Sequence, residues 1–343
     1  MENTKGFKAF ESGMICRGKQ YAENTDYEEA GGAICGKGMM HYCVNPFDCL
    51  NFYDLVDGNG NFPDFAKVKA LDPPVSGSDG KFATKKLHIG AKLNFAGFIK
   101  ACIDYTKEQT IDNMPKSDID PGYSAQIGSS GDYAQIGSSG NYAQIGSSGN
   151  YAQIGSSGNS AQIGSSGNYA QIGSSGYSAK IGSSGDYAKI GSSGNSAQIG
   201  SSGDYAQIGS SGYSAKIGSS GYSAKIGSSG DYAQIGSSGD YAQIGSSGNY
   251  AKIGSSGDSA KIGSSGSSAK IDSTGEDSVI CCAGNGSVVK AKAGSWITLA
   301  EWEYSNKKDR LVPRCVKTEY VDGETIKSDT WYRLENGEFV EVK

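Results

Sequence analysis

The sequence predicts a mainly β chain whose centre is a two-faced parallel β-solenoid of 18 residues per coil, with a small N-terminal α+β domain before it and a C-terminal β-hairpin cap after it. Three observations predict this. From Gly122 the unit Gly-(Asp/Asn/Tyr)-(Tyr/Ser)-Ala-(Gln/Lys)-Ile-Gly-Ser-Ser recurs every nine residues, and isoleucine holds that spacing 17 times from Ile127 to Ile271. A unit this short cannot bury its own apolar face and must stack on neighbours. The variable positions alternate between successive units, so two units make one coil. Both flanks lose the period, which divides the chain at 1–117, 118–293 and 294–343.

In the first region Asn45-Pro46-Phe47-Asp48 has the form of a helix start, with asparagine as N-cap and proline in the first turn, ahead of Leu50, Tyr53 and Leu55. Asn94 precedes Phe95, Phe98, Ile99, Cys102 and Ile103, the spacing of a helix with one core-facing stripe. Phe65 to Leu71 and Lys86 to Leu93 read as strands. The chemical interest lies in Cys16, Cys35, His41, Cys43 and Cys49. Thiolates and a neutral imidazole could hold zinc, but the spacings lack a Cys-x-x-Cys knuckle, so buried free cysteines are the expectation and zinc the lesser alternative. No other cofactor is expected. A nucleophile pair of Cys43 and His41 has no identifiable third group to orient it.

Within the repeat, Tyr-Ala-Gln-Ile alternates, placing Ala and Ile on one side of a short strand and Tyr/Ser and Gln/Lys on the other. Gly-Ser-Ser-Gly is expected to turn the corner, with glycine supplying the positive φ. Every second unit carries Tyr133, Tyr151, Tyr169, Tyr187, Tyr205 and Tyr241, broken by Ser223 and Ser259. The units between carry Ser124, Ser160, Ser178, Ser196, Ser214 and Ser268, broken by Tyr142, Tyr232 and Tyr250. An 18-residue coil turns these into two different faces. It also stacks nearly every lysine on a glutamine, with Lys252 beneath Lys270 the exception, so like charges do not form a ladder. Duplication of a 36-residue block would leave the same pattern, and the same coil. Eighteen units make about nine coils, or about 43 Å of rod at one strand spacing per coil.

After Val289 the repeat gives way to a strand-like run, 294–302, in which Trp296 and Trp302 are expected to close the core and cover the last edge. Val321-Asp322-Gly323 and Glu335-Asn336-Gly337 read as hairpin turns. Cys281 and Cys282 are adjacent and should point to opposite faces, without a disulfide.

Net charge is −5, from 31 basic and 36 acidic side chains. Seven lysines against nine acids between Gly122 and Asp277 are far too few to imitate a duplex with a charge every ~1.7 Å, and direct nucleic-acid binding is not expected. No apolar run approaches the ~18 residues of a membrane span. Met1-Glu-Asn-Thr-Lys-Gly-Phe lacks the layout of a signal peptide, so the cytoplasm of a bacterial host cell is the expected location. Phosphate loops, hydrolase elbows and paired carboxylates are absent from the sequence, which makes a non-catalytic protein the expectation.

Asn195-Ser196-Ala197-Gln198-Ile199-Gly200 resembles the Asn-Ser-Val-Ala-Ile-Gly repeat of trimeric autotransporter heads, which form a parallel β-roll. The nine-residue, two-per-coil arithmetic resembles the calcium-binding nonapeptide repeats of secreted toxins. These units depart from that family's Gly-Gly-x-Gly-x-Asp motif, so calcium is not expected. Phe7-Lys8-Ala9-Phe10, Cys16-Arg17-Gly18, Tyr21, Cys35-Gly36-Lys37-Gly38, His41, Cys43 and Asn45-Pro46 together resemble an uncharacterised domain family of phages and gut bacteria, often found at the head of glycine-rich repeats. That resemblance implies a phage or prophage gene and brings no activity.

The expected function is therefore an interaction protein. Its partner-binding face is Tyr133, Tyr151, Tyr169, Tyr187, Tyr205 and Tyr241 with Asp132, Asp186, Asp204 and Asp240, docking a host protein, with bacterial immune machinery the sharpest candidate. The alternative is a structural or adhesive fibre component that binds glycans or self-associates. A zinc-containing N-terminal enzyme domain is the weaker third.

Overall fold

The computed structural model describes residues 4–32, 38–53, 62–77, 80–111, 119–120 and 124–342. The centre is a parallel β-solenoid with 18 residues per coil. Ile136 pairs in register with Ile154, and Ile154 with Ile172, and the same 18-residue step links the strands of both faces. Strands of one face, from Gln135–Ser138 to Lys261–Ser264, form sheet I; those of the other, from Gln126–Ser129 to Lys270–Ser273, form sheet II. Each coil adds one strand to each sheet. Lys180 stacks on Gln198 and Lys189 on Gln207, while Lys252 meets Lys270, as the spacing requires.

The repeat strands up to Lys261–Ser264 are Gln/Lys-Ile-Gly-Ser, so the strand runs through the glycine and the first serine that the sequence reading assigned to the corner. Alternation then sends Ala, Ile and that serine inward. The inner serines are the unexpected part of the core. Hydroxyls of Ser147, Ser165, Ser183, Ser201 and Ser219 are buried with no hydrogen-bond partner.

The corner corrects a second expectation. Among the described residues, no repeat glycine up to Gly275 has positive φ; at most corners the tyrosine or serine after the variable residue takes it instead, with φ of 53° to 59° at Tyr133, Tyr151, Ser160, Tyr169, Ser223 and others, though not at Tyr142, Ser178 or Ser196. The corner glycine serves a different purpose. A Cβ on Gly203 would lie 2.0 Å from the Gly185 carbonyl oxygen of the coil below, and Gly158 through Gly284 repeat that approach at 1.8–2.1 Å. Coils are stacked too closely there for any side chain.

The N-terminal domain is a seven-stranded antiparallel sheet. Its strands are β1 (Lys5–Phe10), β4 (Thr25–Glu28), β5 (Met40–Cys43), β6 (Asp64–Ala70), β7 (Val75–Ser76), β8 (Lys81–Thr84) and β9 (Lys86–Leu93), in the order β4-β9-β6-β1-β5-β8-β7. A small hairpin, β2 (Ile15–Cys16) with β3 (Lys19–Gln20), leaves β1. Helix α1 (Phe95–Ile111) forms where the apolar stripe was read, and the Asn94 side chain accepts from the Gly97 N–H at 2.8 Å. The helix expected at Asn45 is only a 3-10 turn, Pro46–Asn51, capped by Asn45 through Phe47 N–H. Leu55 lies outside the described residues.

At the far end, Trp296–Ser305 continues sheet I and turns back antiparallel as Arg310–Tyr320, while Thr330–Glu335 and Glu338–Val342 finish sheet II. Asn336 and Gly337, both at positive φ, make the expected second turn. Val321-Asp322-Gly323 is not a hairpin; the chain crosses there from one sheet to the other, and the Asp322 carboxylate accepts the N–H groups of Glu324, Thr325 and Ile326. The tryptophans do not plug the core. Ile326, Tyr332 and Leu334 do, while Trp296 is half exposed against Tyr320 and Trp302 donates to the Ala283 carbonyl. Cys281 faces solvent and Cys282 the core. No helix is long and apolar enough to cross a membrane among the described residues.

Candidate functional site

The corners give the rod its surface chemistry. At the corners that lead into sheet I, Asp132, Asn150, Asn168, Asp186 and Asp204 each accept, through Oδ1, the backbone N–H of the equivalent residue one coil on, at 2.7–3.0 Å. Asp240 does the same for Asp258. These aspartates and asparagines therefore pin one coil to the next. Beside them the Tyr133, Tyr151, Tyr169, Tyr187 and Tyr205 rings stack at 4.9–5.0 Å, nearly parallel. Where Ser223 interrupts the column, Tyr222 leans in to bridge Tyr205 and Tyr241. The structure thus brings Tyr133, Tyr151, Tyr169, Tyr187 and Tyr205 into one face-to-face ladder, and Tyr241 joins it only through the tilted Tyr222 ring.

The two sheets have different neighbours. On sheet II, α1 packs across the row of outward glycines: Ile99 touches the Cβ positions of Gly182 and Gly200, and Phe95 and Phe62 those of Gly200 and Gly218. The other face of α1 stays in its own domain, where Phe98 stacks on Phe65 at 3.6 Å. The 3-10 turn docks beside it, over Ser160, Ser178, Ser196 and Ser214. Asn45 donates to Gln162, Lys180 to the Phe47 carbonyl and Asn51, and Gln198 to the Leu50 carbonyl. Burial lowers the Lys180 pKa, with nearby Asp48 opposing it. The footprint of the N-terminal domain is therefore the glycine row with Gln162, Lys180 and Gln198, and the serine column faces the domain across a cavity of about 520 Å³. Sequence reasoning missed this docking, although the run of small residues signalled room for a neighbour.

On sheet I the matching glycine row, Gly137, Gly155, Gly173, Gly191, Gly209, Gly227 and Gly245, meets nothing within 4 Å of an added Cβ. It floors an open trough of about 1280 Å³ walled by Gln135, Gln153, Gln171, Lys189, Gln207, Lys225 and Gln243. The tyrosine ladder runs along the corner beside it.

Cys16, His41, Cys43 and Cys49 line one cavity of about 570 Å³ in the N-terminal domain; Cys35 lies outside the described residues. Cys43 and Cys49 are hydrogen-bonding neighbours, and that bond, followed by burial, pushes the Cys49 thiol far up. The Tyr53 hydroxyl donates to Cys16 Sγ at 3.1 Å. Lys8, itself buried, stands among the sulfurs and donates to the His41 carbonyl at 3.0 Å. Among the described residues no three His, Cys, Asp or Glu side chains converge as ligands.

Fold and site together define a β-solenoid scaffold with an α+β domain docked on one face and the opposite face open. The domain's residues 4–101 match a family described as a domain of unknown function (DUF7666). No curated protein and no solved structure matches the chain.

Proposed function

We propose that this chain is a non-catalytic interaction protein that docks a partner protein on the open face of sheet I, through the glycine-floored trough and the tyrosine ladder beside it. One observation supports the reading above others: the same repeat on sheet II takes an amphipathic helix, α1, into its glycine row. Sheet I offers an equivalent row with no occupant among the described residues. The partner element that fits is a helix with an Ile/Phe stripe like that of α1, flanked by acids that meet Lys189 and Lys225. The ladder adds rigid aromatic edges and hydroxyls, good hot-spot material. Stacked ring faces favour a protein over a glycan, because sugars pack on the faces that these rings use on each other.

The test is affinity capture from a bacterial lysate, chosen because the N-terminal motif resembles domains of phages and gut bacteria. Three baits are compared: the native chain, a Gly191→Phe/Gly209→Phe variant with the trough filled, and a Tyr169→Ser/Tyr187→Ser/Tyr205→Ser variant. A protein held by the native chain and lost from both variants is the expected result. Capture unchanged in both, or polysaccharide alone retained, overturns it.

A further inference from the structure

The buried lysine of the N-terminal domain has no part in the docking function. Lys8 lies on β1, on the same strand face as Phe10, with only 6% of its surface exposed. Among the described residues no carboxylate pairs with it; it donates to the His41 carbonyl and has the Cys16 thiol as a hydrogen-bonding neighbour, and its amine lies 5.4 Å from the Phe10 ring and 5.7 Å from the Tyr21 ring. An ammonium ion in such a place is costly unless a partner arrives or the proton leaves. Lys8 nevertheless lines an open cavity large enough for a small metabolite. Its walls include Tyr21, Phe52 and Tyr53, and among the described residues its charged groups are Lys8, Arg17, Lys19, Lys81 and Glu29, the last engaged by Lys19.

We propose that this cavity captures a small aldehyde or ketone that carries an anionic group, with Lys8 as the nucleophile. The lone pair of Nζ adds to the carbonyl carbon, a proton passes from nitrogen to oxygen, and water leaves as the C=N bond forms. Amine and carbonyl compound give imine and water, with no oxidant or reductant consumed. The cationic rim meets the anionic end of the ligand and the aromatic wall its body. Burial lowers the affinity of Lys8 for its proton against the opposing effect of Cys16, which raises the share of free amine relative to an exposed lysine. Neither a structural lysine nor a surface lysine would combine these properties.

The probe is glyoxylate with sodium cyanoborohydride, which traps the imine as carboxymethyl-lysine, applied briefly to the whole chain at neutral pH and read by peptide mass mapping. Lys8 should be modified at least about tenfold faster than exposed lysines such as Lys189 and Lys225, the preference expected where burial favours the free amine and a cationic cavity gathers the anionic probe. The advantage should vanish in urea. Lys8→Arg should remove that product and leave labelling elsewhere unchanged. Lys8 labelled no faster than the exposed lysines, or with the same relative rate in the unfolded chain, overturns the proposal.

Discussion

Three glycines from consecutive units separate the packing roles within one coil: Gly200 under α1, Gly203 at the corner and Gly209 in the open row. Each is replaced by alanine. The added Cβ of Gly203→Ala would sit 2.0 Å from the Gly185 carbonyl oxygen, and real Cβ contacts stay beyond 3.0 Å, so the coils must part by about 1 Å. No rotamer relieves a clash with backbone. Parting also strains the Asp204 N–H bond to Asp186 and the Tyr187 N–H bond to the Asp204 carbonyl, now 2.9 and 2.8 Å. Overpacking at about 1–3 kcal/mol and weakened bonds at about 0.5–1.5 kcal/mol together suggest a loss of about 3 kcal/mol. For a unit of about 200 residues that corresponds to a fall of about 6–12 °C in Tm. Gly209→Ala meets nothing within 4 Å and restricts the unfolded chain, so it should be neutral or stabilising by up to about 1 kcal/mol. Gly200→Ala meets Ile99 Cδ1 at 2.5 Å and should leave the rod intact while loosening α1. Thermal melts followed by circular dichroism, with hydrogen exchange on α1, read all three. Equal melting of Gly203→Ala and Gly209→Ala would refute the proposed packing.

Two further perturbations test the core and the cap. Ser201→Ala removes a buried hydroxyl with no partner, so it should stabilise by about 1 kcal/mol in chemical denaturation, and a comparable loss would show that the hydroxyl is bonded. The Asp322 carboxyl, bonded to three N–H groups, is held below the ordinary carboxylate range. Its folded pKa is depressed, so its stabilisation is complete above the unfolded value of about 3.9 and fades as pH falls through the lower folded value. Hydrogen exchange of Glu324 to Ile326 should therefore quicken on acidification in the native chain, while Asp322→Asn should lack that step.

The coil length was legible because the Tyr/Ser alternation and the lysine pairs carry a period of two units, and stacking alone converts that into 18 residues. The corner was not. Propensity assigns positive φ to glycine, yet here the glycine is needed where backbone meets backbone, and the left-handed position falls to Tyr133 and its equivalents, whose side chains have open solvent to enter. The α1 stripe was legible as a buried face. Its division between two surfaces, Phe98 to its own sheet and Ile99 to the solenoid, is a tertiary choice that a single apolar stripe cannot encode. The open face of sheet I was hidden for the same reason: the strands of both faces share the Gln/Lys-Ile-Gly-Ser pattern, and the Tyr/Ser alternation at the corners does not say which face the N-terminal domain covers. Lys8 escaped notice because it reads as an ordinary polar residue of an alternating strand.

The left-handed corners explain why two kinds of residue suffice there. A non-glycine residue at positive φ costs on the order of 1 kcal/mol, and a stacked aromatic pair contributes about 0.5–1.5 kcal/mol. From Tyr133 to Tyr205 the ladder therefore roughly offsets its own strain. Ser160 and Ser214 bear the same strain with no ring to stack, as do Ser223 and Ser259 within the tyrosine column. Stacking thus offsets the strain only where tyrosines follow one another, and it leaves there a face that is rigid before anything binds. A partner that settles on it has only its own groups to order, which is the condition under which a repetitive surface binds tightly.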